Sequence, residues 1–422
     1  MAVDAGRLGP ALKVDPSTEE LLRTLAAPVL GALVRRYGDF FRAEDAVQEA
    51  LVTAVSTWPR TGVPAQPLGW LTTVAARRYL DQLRADTARE RRERAVLATT
   101  PRDALVAPPP DLEPVRDDLL ELLFLCCHPA LTPSAQVALT LRAVGGLSTA
   151  EIAAAFLVPE KTMGQRISRA KQRLRDADAR FELPPQAECG PRLRAVLHVL
   201  YLLFNEGYSA SSGPVLQRTD LTRQALCLTR RLHDRLPDSG ETVGLLALMV
   251  LTEARSGART GPDGILVPLI EQDRTRWDRT AIAEGIALIT HSLATLPLGP
   301  YQIQAAVAAV HAEAPSTEVT DWSQILALYQ VLDRLAPNPV ATLNRAVALA
   351  MVRGPEAGLA LLGELESGPL AGNHRLLAVR AHLFEQAGKR ADAAAAYREA
   401  ARLAGSLPEQ RFLVQQAVRC TG

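Results

Sequence analysis

Apolar residues recur at three- and four-residue spacing along almost the whole chain, and no run of alternating β-branched residues bounded by turns interrupts them. The pattern predicts an all-α protein. Ala43 to Ser56 is a clear amphipathic stretch: Ala46, Val47, Ala50, Leu51, Ala54 and Val55 form the inward side, while Asp45, Gln48 and Glu49 share the outward one. A loop punctuated by Pro59, Pro64 and Pro67 separates it from a helix that opens at Trp70. There Leu71, Val74, Ala75, Tyr79 and Leu83 point inward, and Arg77, Arg78, Asp81 and Arg84 outward. Farther on, Ser148-Thr149-Ala150-Glu151 has the form of a capping box. Ile152 and Phe156 mark the buried face that follows, Leu157-Val158 makes a turn, and Pro159 suits the first position of the next helix. In that helix Met163, Ile167, Ala170 and Leu174 make a single buried stripe.

Proline divides the chain into blocks. Pro101, Pro108, Pro109, Pro110 and Pro114 fall between Thr99 and Pro114 and favour an extended tether. Leu183-Pro184-Pro185 makes a shorter break. The expected organisation is a helical domain over 18–95, a Pro-rich linker over 96–116, a helix-turn-helix domain over 117–180 and a large helical extension over 185–422. Towards its end the extension repeats itself. Gly354 and Gly388 stand 34 residues apart, each between two Ala/Leu-rich helices. Ala381, Phe384, Gly388, Ala393, Tyr397 and Ala400 follow the spacing of a tetratricopeptide repeat, where small residues let paired helices approach. Such hairpins are expected over 338–405.

Composition narrows the classes. At one domain per ~150 residues, 422 residues make roughly three domains. With 48% hydrophobic and 22% charged residues the chain is not disordered and can bury a large core. A net charge of +1 excludes a uniformly basic nucleic-acid coat, so any such contact must come from local clusters. Cys126, Cys127, Cys189, Cys227 and Cys420 form no CxxC pair and no zinc-like Cys/His spacing, and their odd count makes a poor disulfide framework. A reducing cytosol is expected. The longest apolar run, Val243 to Leu251, is far short of the ~20 residues that span a bilayer. The start of the chain lacks the order of a signal peptide. A cytoplasmic protein with no membrane partner is expected.

Local clusters do occur. From Lys161 to Arg175 there are six basic residues and no acidic one. Off the apolar stripe lie Lys161, Thr162, Gln165, Arg166, Ser168, Arg169 and Lys171. A short helix with such a face is what entry into the major groove requires, with Gln and Arg reading base edges and the other charges meeting phosphates. Gly164, a poor helix former, leaves room for close backbone approach. Trp58 and Trp70 beside Arg77, Arg78 and Arg84, followed by Arg89, Arg91, Arg92 and Arg94, suit partly melted DNA, although tryptophans at these positions also read as core. No Ser/His/Asp arrangement, P-loop or GxGxxG is visible. Glu206 and His198 lie about two helical turns apart, too far for an acid/base pair. His291 and His311 read as surface or core histidines. No catalytic residue, cofactor or metal is expected.

These blocks, in this order, resemble the bacterial RNA polymerase sigma factors of the extracytoplasmic-function type. Ala43-Glu44-Asp45-Ala46-Val47-Gln48-Glu49-Ala50 resembles region 2.2 of that family, Trp70 through Arg84 region 2.4, and Gly146 through Lys171 region 4.2. The segments Tyr201 to Tyr208, Gly299 to Ala306, Asp321-Trp322 and Leu343 to Ala348 are similar to the subfamily with a tetratricopeptide-like extension. The resemblance implies a promoter-specificity subunit without catalysis of its own. In it, Asp45, Gln48 and Glu49 would face the basic coiled coil of the polymerase β′ clamp, with the β flap as a further contact. The loop from Thr61 to Pro67 would capture a flipped −10 base, and Trp70, Arg77, Arg78, Asp81 and Arg84 would hold the melting −10 strand. Lys161, Thr162, Gln165, Arg166, Ser168, Arg169 and Lys171 would read the −35 element, and the linker would thread toward the RNA exit channel. The resemblance also implies regulation by the extension, through an intramolecular or protein partner, in place of an anti-sigma factor.

Two other readings share some of these residues. A stand-alone helix-turn-helix regulator with a helical sensor domain would bind duplex DNA without polymerase, as a dimer on half-sites. An enzyme in the C-terminal region would need a pocket of convergent, pKa-perturbed groups.

Overall fold

A computed structural model describes residues 16–93, 119–156, 158–211, 213–261, 263–368 and 370–421. These contain 18 α-helices and no strand, as the periodicity predicts. The proline-rich linker and the side chains of Arg89, Arg91, Arg92 and Arg94 lie outside the described residues. The chain divides into two units, Met1–Val199 and Leu200–Gly422.

The first unit opens with α1 (Pro16–Tyr37), α2 (Phe40–Thr61) and α3 (Pro67–Glu93), packed on one another around Leu30, Leu33, Ala46, Ala50, Trp58, Leu71 and Ala75. α2 is longer at both ends than the 43–56 stretch. Asp39 starts it, its carboxylate accepting the N–H groups of Phe41 at 2.9 Å and Arg42 at 3.0 Å. At the other end Trp58 is buried and meets Trp70 edge-on at 5.5 Å, so packing carries the helix through Pro59 to a left-handed Gly62. α3 starts at Pro67 rather than Trp70, the fixed φ of proline suiting a first turn. Tyr37 and Tyr79 stack at 4.3 Å across α1 and α3.

A second module follows: α4 (Leu119–Cys126), α5 (Pro133–Ala143), α6 (Thr149–Ala155) and α7 (Glu160–Asp176). The capping box forms as its sequence predicts. The Glu151 carboxylate accepts the Ser148 N–H at 2.7 Å, and the Glu151 N–H donates to Ser148 Oγ at 3.2 Å. Pro159 stands one residue before α7, at its N-cap, rather than as its first residue. α8 (Gln186–Tyr208) begins directly after Pro184-Pro185 and carries the chain into the second unit.

That unit continues as α9 (Thr219–Arg235), α10 (Gly240–Glu253), α11 (Arg279–Thr295), α12 (Pro300–Glu313), α13 (Trp322–Leu335), α14 (Pro339–Arg353), α15 (Pro355–Gly363), α16 (His374–Gln386), α17 (Arg390–Leu403) and α18 (Leu407–Thr421). α13 packs on α14, α14 on α15, α16 on α17 and α17 on α18. Gly354 and Gly388, both left-handed, turn α14 into α15 and α16 into α17, so the 34-residue spacing marks two helical hairpins. Ala381, Ala393, Tyr397 and Ala400 are buried in the second.

The motifs of the extension act as ties within this unit. Glu206 accepts the Ser211 N–H and hydroxyl at 3.1 and 3.2 Å. Buried Gln302 donates to Ser292 Oγ at 2.8 Å, joining α12 to α11. Asp321 caps α13 through the Gln324 N–H at 2.8 Å, and Arg345 pairs with Asp333 at 2.6 Å between α14 and α13. His311 packs edge-on to Trp322 at 5.2 Å. Burial, with Arg255 and Arg274 adding to it, pushes its pKa down to about 4. The unfolded chain therefore takes up a proton below pH 6.5 that the folded chain refuses until about pH 4. Stability falls as pH drops through that window, by about 3 kcal/mol in all. An acid titration of the thermal midpoint should show this loss, and His311→Gln should flatten it.

Candidate functional site

On the outward face of α2, Asp45 and Glu49 are exposed and Gln48 is half-buried. Glu49 links this face to α3: Arg78 lies 3.6 Å from its carboxylate, and Gln82 donates to it at 3.0 Å. Arg77, Arg78, Asp81 and Arg84 are all on the solvent side of α3, with Arg84 and Asp81 paired at 3.3 Å. One surface of the first module thus carries an acidic row beside a basic one. Trp70 is half-buried against Trp58, so core packing takes up much of its ring. Between α2 and α3 the loop from Gly62 to Gln66 is largely open to solvent.

α7 buries the expected stripe of Met163, Ile167, Ala170 and Leu174. Lys161, Thr162, Gln165, Ser168 and Arg169 are exposed, and Arg166 is half-buried. A Cβ at Gly164 would meet only Thr149 Cγ2, at 3.8 Å, so no contact within the protein demands glycine there. Lys171 departs from the expectation of a free DNA-facing cation. It is buried, its ammonium paired with the Glu44 carboxylate and with Asp45 at 2.7 Å.

That contact belongs to a wider one between the two modules. Glu44 is fully buried, with Arg142 Nε 2.7 Å from its other oxygen. Gln48 donates to the Arg142 carbonyl at 3.2 Å. The Arg175 guanidinium lies 4.4 Å from the centre of the Phe41 ring. Arg23 of α1 reaches Glu151 of α6 at 2.8 Å. Burial opposes ionisation of Glu151, but the Ser148 hydrogen bonds and Arg23 outweigh it and hold the carboxyl below its ordinary pKa. Gly146 comes so close to α1 that a Cβ would stand 2.8 Å from Ala26 Cβ, and its φ is left-handed.

Residue patterning assigns no role to Glu44 or Arg142. The signal that points to Glu44 and Lys171 is a lone charge inside an apolar stripe. Glu44 lies four residues after Phe40 and three before Val47, and Lys171 four after Ile167 and three before Leu174.

Among the described residues no group of three or more His, Cys, Asp or Glu is placed to hold a metal ion, and no helix is long and apolar enough to cross a membrane. All five cysteines are free, and burial pushes the Cys127 thiol up to about 12.

Residues 21–89 match the family described as Sigma-70 region 2, and residues 121–174 match Sigma-70 region 4. The chain belongs to the sigma-70 family. It is an extracytoplasmic-function-like sigma factor with a C-terminal extension. The region 2 match spans α1 to α3 and the region 4 match α4 to α7, the two modules of the first unit. In the extension of this sigma factor, residues 192–293 match a family of unknown function, DUF6596. A relative from Mycolicibacterium smegmatis, the ECF RNA polymerase sigma factor SigE, is 30% identical over 164 residues, 38% of this chain and 61% of that one. An uncharacterised protein of Rhizobium meliloti is 42% identical over 397 residues, 92% of each chain. No solved structure matches.

Proposed function

We propose that this sigma factor docks on core polymerase through α2 and reads the −35 element through α7. Sigma-70 domains imply binding to core RNA polymerase and promoter DNA. Asp45, Gln48 and Glu49 would face the basic coiled coil of the β′ clamp, with the β flap as a second contact. Trp70, Arg77, Arg78, Asp81 and Arg84 would hold the melting −10 strand, beside the exposed loop that would take a flipped base. Lys161, Thr162, Gln165, Arg166, Ser168 and Arg169 would contact the −35 duplex, and Lys171 would join them only when released from α2.

The observation that carries this reading is α7 itself. One stripe is fully buried, and the opposite face presents Gln165 and Arg169 to solvent one helical turn apart, behind a properly capped α6. Gln165→Ala combined with Arg169→Ala should weaken −35 recognition by about 1–3 kcal/mol for each bidentate base pairing that is removed, and leave core binding unchanged. Promoter-binding titrations of the reconstituted holoenzyme measure the first, and gel filtration with core the second.

Regulation by the extension is part of the same proposal. More than half of the chain lies beyond residue 185, tied together by motif residues that make no catalytic constellation. Removing 185–422 should alter promoter-dependent transcription in a reconstituted assay, and unchanged activity would refute the idea.

A further inference from the structure

The second unit carries an open groove of about 560 Å³ between α17, α18 and the loop that holds Ile265. Its floor is aliphatic, formed by Ile265, Ala401 and Val414. Its rim is cationic: Arg398, Arg402 and Arg411 line it, and among the described residues no carboxylate does. Arg402 is held by Glu399 at 2.6 Å. Arg398 and Arg411 are exposed and form no ion pair among the described residues. The last helix of a repeat array normally turns a polar outer face to solvent. Here α18 leaves Val414 51% and Val418 65% exposed, one helical turn apart. An aliphatic floor inside a rim of cations fits an aliphatic side chain flanked by carboxylates.

The same unit presents such a group. In the loop between α12 and α13, Val319 is 62% exposed. Glu313, Glu318 and Asp321 flank it in sequence, all exposed, and no Lys or Arg lies between Glu313 and Asp321. The loop is pinned from beneath. Arg274 donates to the His311 carbonyl at 2.7 Å and to Thr317 Oγ1 at 3.4 Å. Thr320 Oγ1 donates to the Ser316 carbonyl at 3.0 Å, and Trp322 Nε1 to the Thr317 carbonyl at 3.2 Å. A valine held out on so fixed a loop loses little conformational freedom on binding. Val319 and Val414 both stay more than half exposed, so the loop does not fill the groove of its own copy.

We infer that the extension carries a self-association surface, the Glu318-Val319 loop of one copy seating in the Arg398–Arg411 groove of a second. Val319 takes the aliphatic floor, and Glu313 and Glu318 face the guanidinium groups. Asp321 already caps α13 through the Gln324 N–H and adds only its field. The two surfaces are unlike, so the contact is heterologous, and altered grooves can be matched with altered loops. One loop in one groove is a small interface, so the associated form exchanges with monomer. Its charged rim makes it sensitive to salt.

Sedimentation velocity of the full-length protein over a concentration series should show a species larger than the monomer at low salt, and less of it at high salt. Arg398→Glu with Arg411→Glu should weaken self-association at least about tenfold, and so, separately, should Glu313→Arg with Glu318→Arg. Mixing the two double variants should restore association. The acidic groove of one then takes the basic loop of the other, while the unaltered loop and groove still match. Val319→Ser, which changes no charge, should weaken association about tenfold through the lost aliphatic contact. Circular dichroism checks that each variant is folded. A parent that stays monomeric up to about 100 µM overturns the inference. So do folded variants that associate as the parent does, and a mixture that stays monomeric. Should either double variant fail to fold, Val319→Ser and the salt response of the parent decide.

Discussion

Asp45→Arg should abolish co-elution of the factor with core polymerase while leaving its helical content unchanged. Asp45 is half exposed and pairs with Lys171, so the fold depends on it little. Lys171 is buried but keeps Glu44 when Asp45 is lost, and the Asp45 end faces solvent, so the cost stays near the roughly 0–1 kcal/mol of a solvent-facing ion pair. Against a basic protein surface the same carboxylate matters far more. Close charge pairs across interfaces couple by about 1.5–7 kcal/mol, and reversal replaces attraction with repulsion. A loss of at least about 3 kcal/mol, or more than about a hundredfold in affinity, is expected. The substitution also sets Arg beside Lys171, which loosens the internal contact. The face of α2 then carries the wrong sign for the polymerase as well. Circular dichroism checks the fold and gel filtration with core checks the interaction. Stoichiometric co-elution of the variant would mean that α2 docks elsewhere or not at all.

Much of this architecture is legible in the sequence because it is local. The apolar stripe of α7, the Ser148–Glu151 capping box and the outward row of Asp45, Gln48 and Glu49 each depend on spacing within one or two helical turns. The two hairpins at Gly354 and Gly388 are legible for the same reason. Element ends are less so. α2 runs on to Thr61 through Pro59 because Trp58 gains from burial against Trp70, a contact across 12 residues that no propensity encodes. The meeting of the two modules is the least legible feature. Lys171 reads as one more cation on a basic helix until Glu44, 127 residues earlier, is brought to it. Patterning by type sets Lys171 on the basic face and leaves Glu44 unassigned. Their position within apolar stripes points inward, and only the packed structure says against what.

Glu44→Ala should cost the first unit about 3 kcal/mol, the largest stability loss expected from one side chain on this face. Glu44 has 1% of its side chain exposed, and Arg142 and Lys171 have 15% and 9%. Neither Glu44 oxygen has a well-aligned hydrogen bond, so charge alone holds it. Breaking a buried ion pair by removing one partner costs about 3–5 kcal/mol, because the remaining charge is left without compensation. The lower end applies here. Lys171 keeps Asp45, and Arg142 still donates to Thr149 Oγ1 at 2.7 Å. Replacing all three ions tests the same balance from the other side. Glu44→Leu with Arg142→Met and Lys171→Met removes the desolvation cost together with the attraction, and such exchanges are commonly neutral or stabilising by about 1–4 kcal/mol. The triple variant should therefore recover most of what Glu44→Ala loses, and its stability should respond less to salt than the parent's. Denaturant titrations of the three proteins at low and high ionic strength measure both effects. A Glu44→Ala protein that unfolds at the parental midpoint would show that this carboxylate does not lie between two cations in solution.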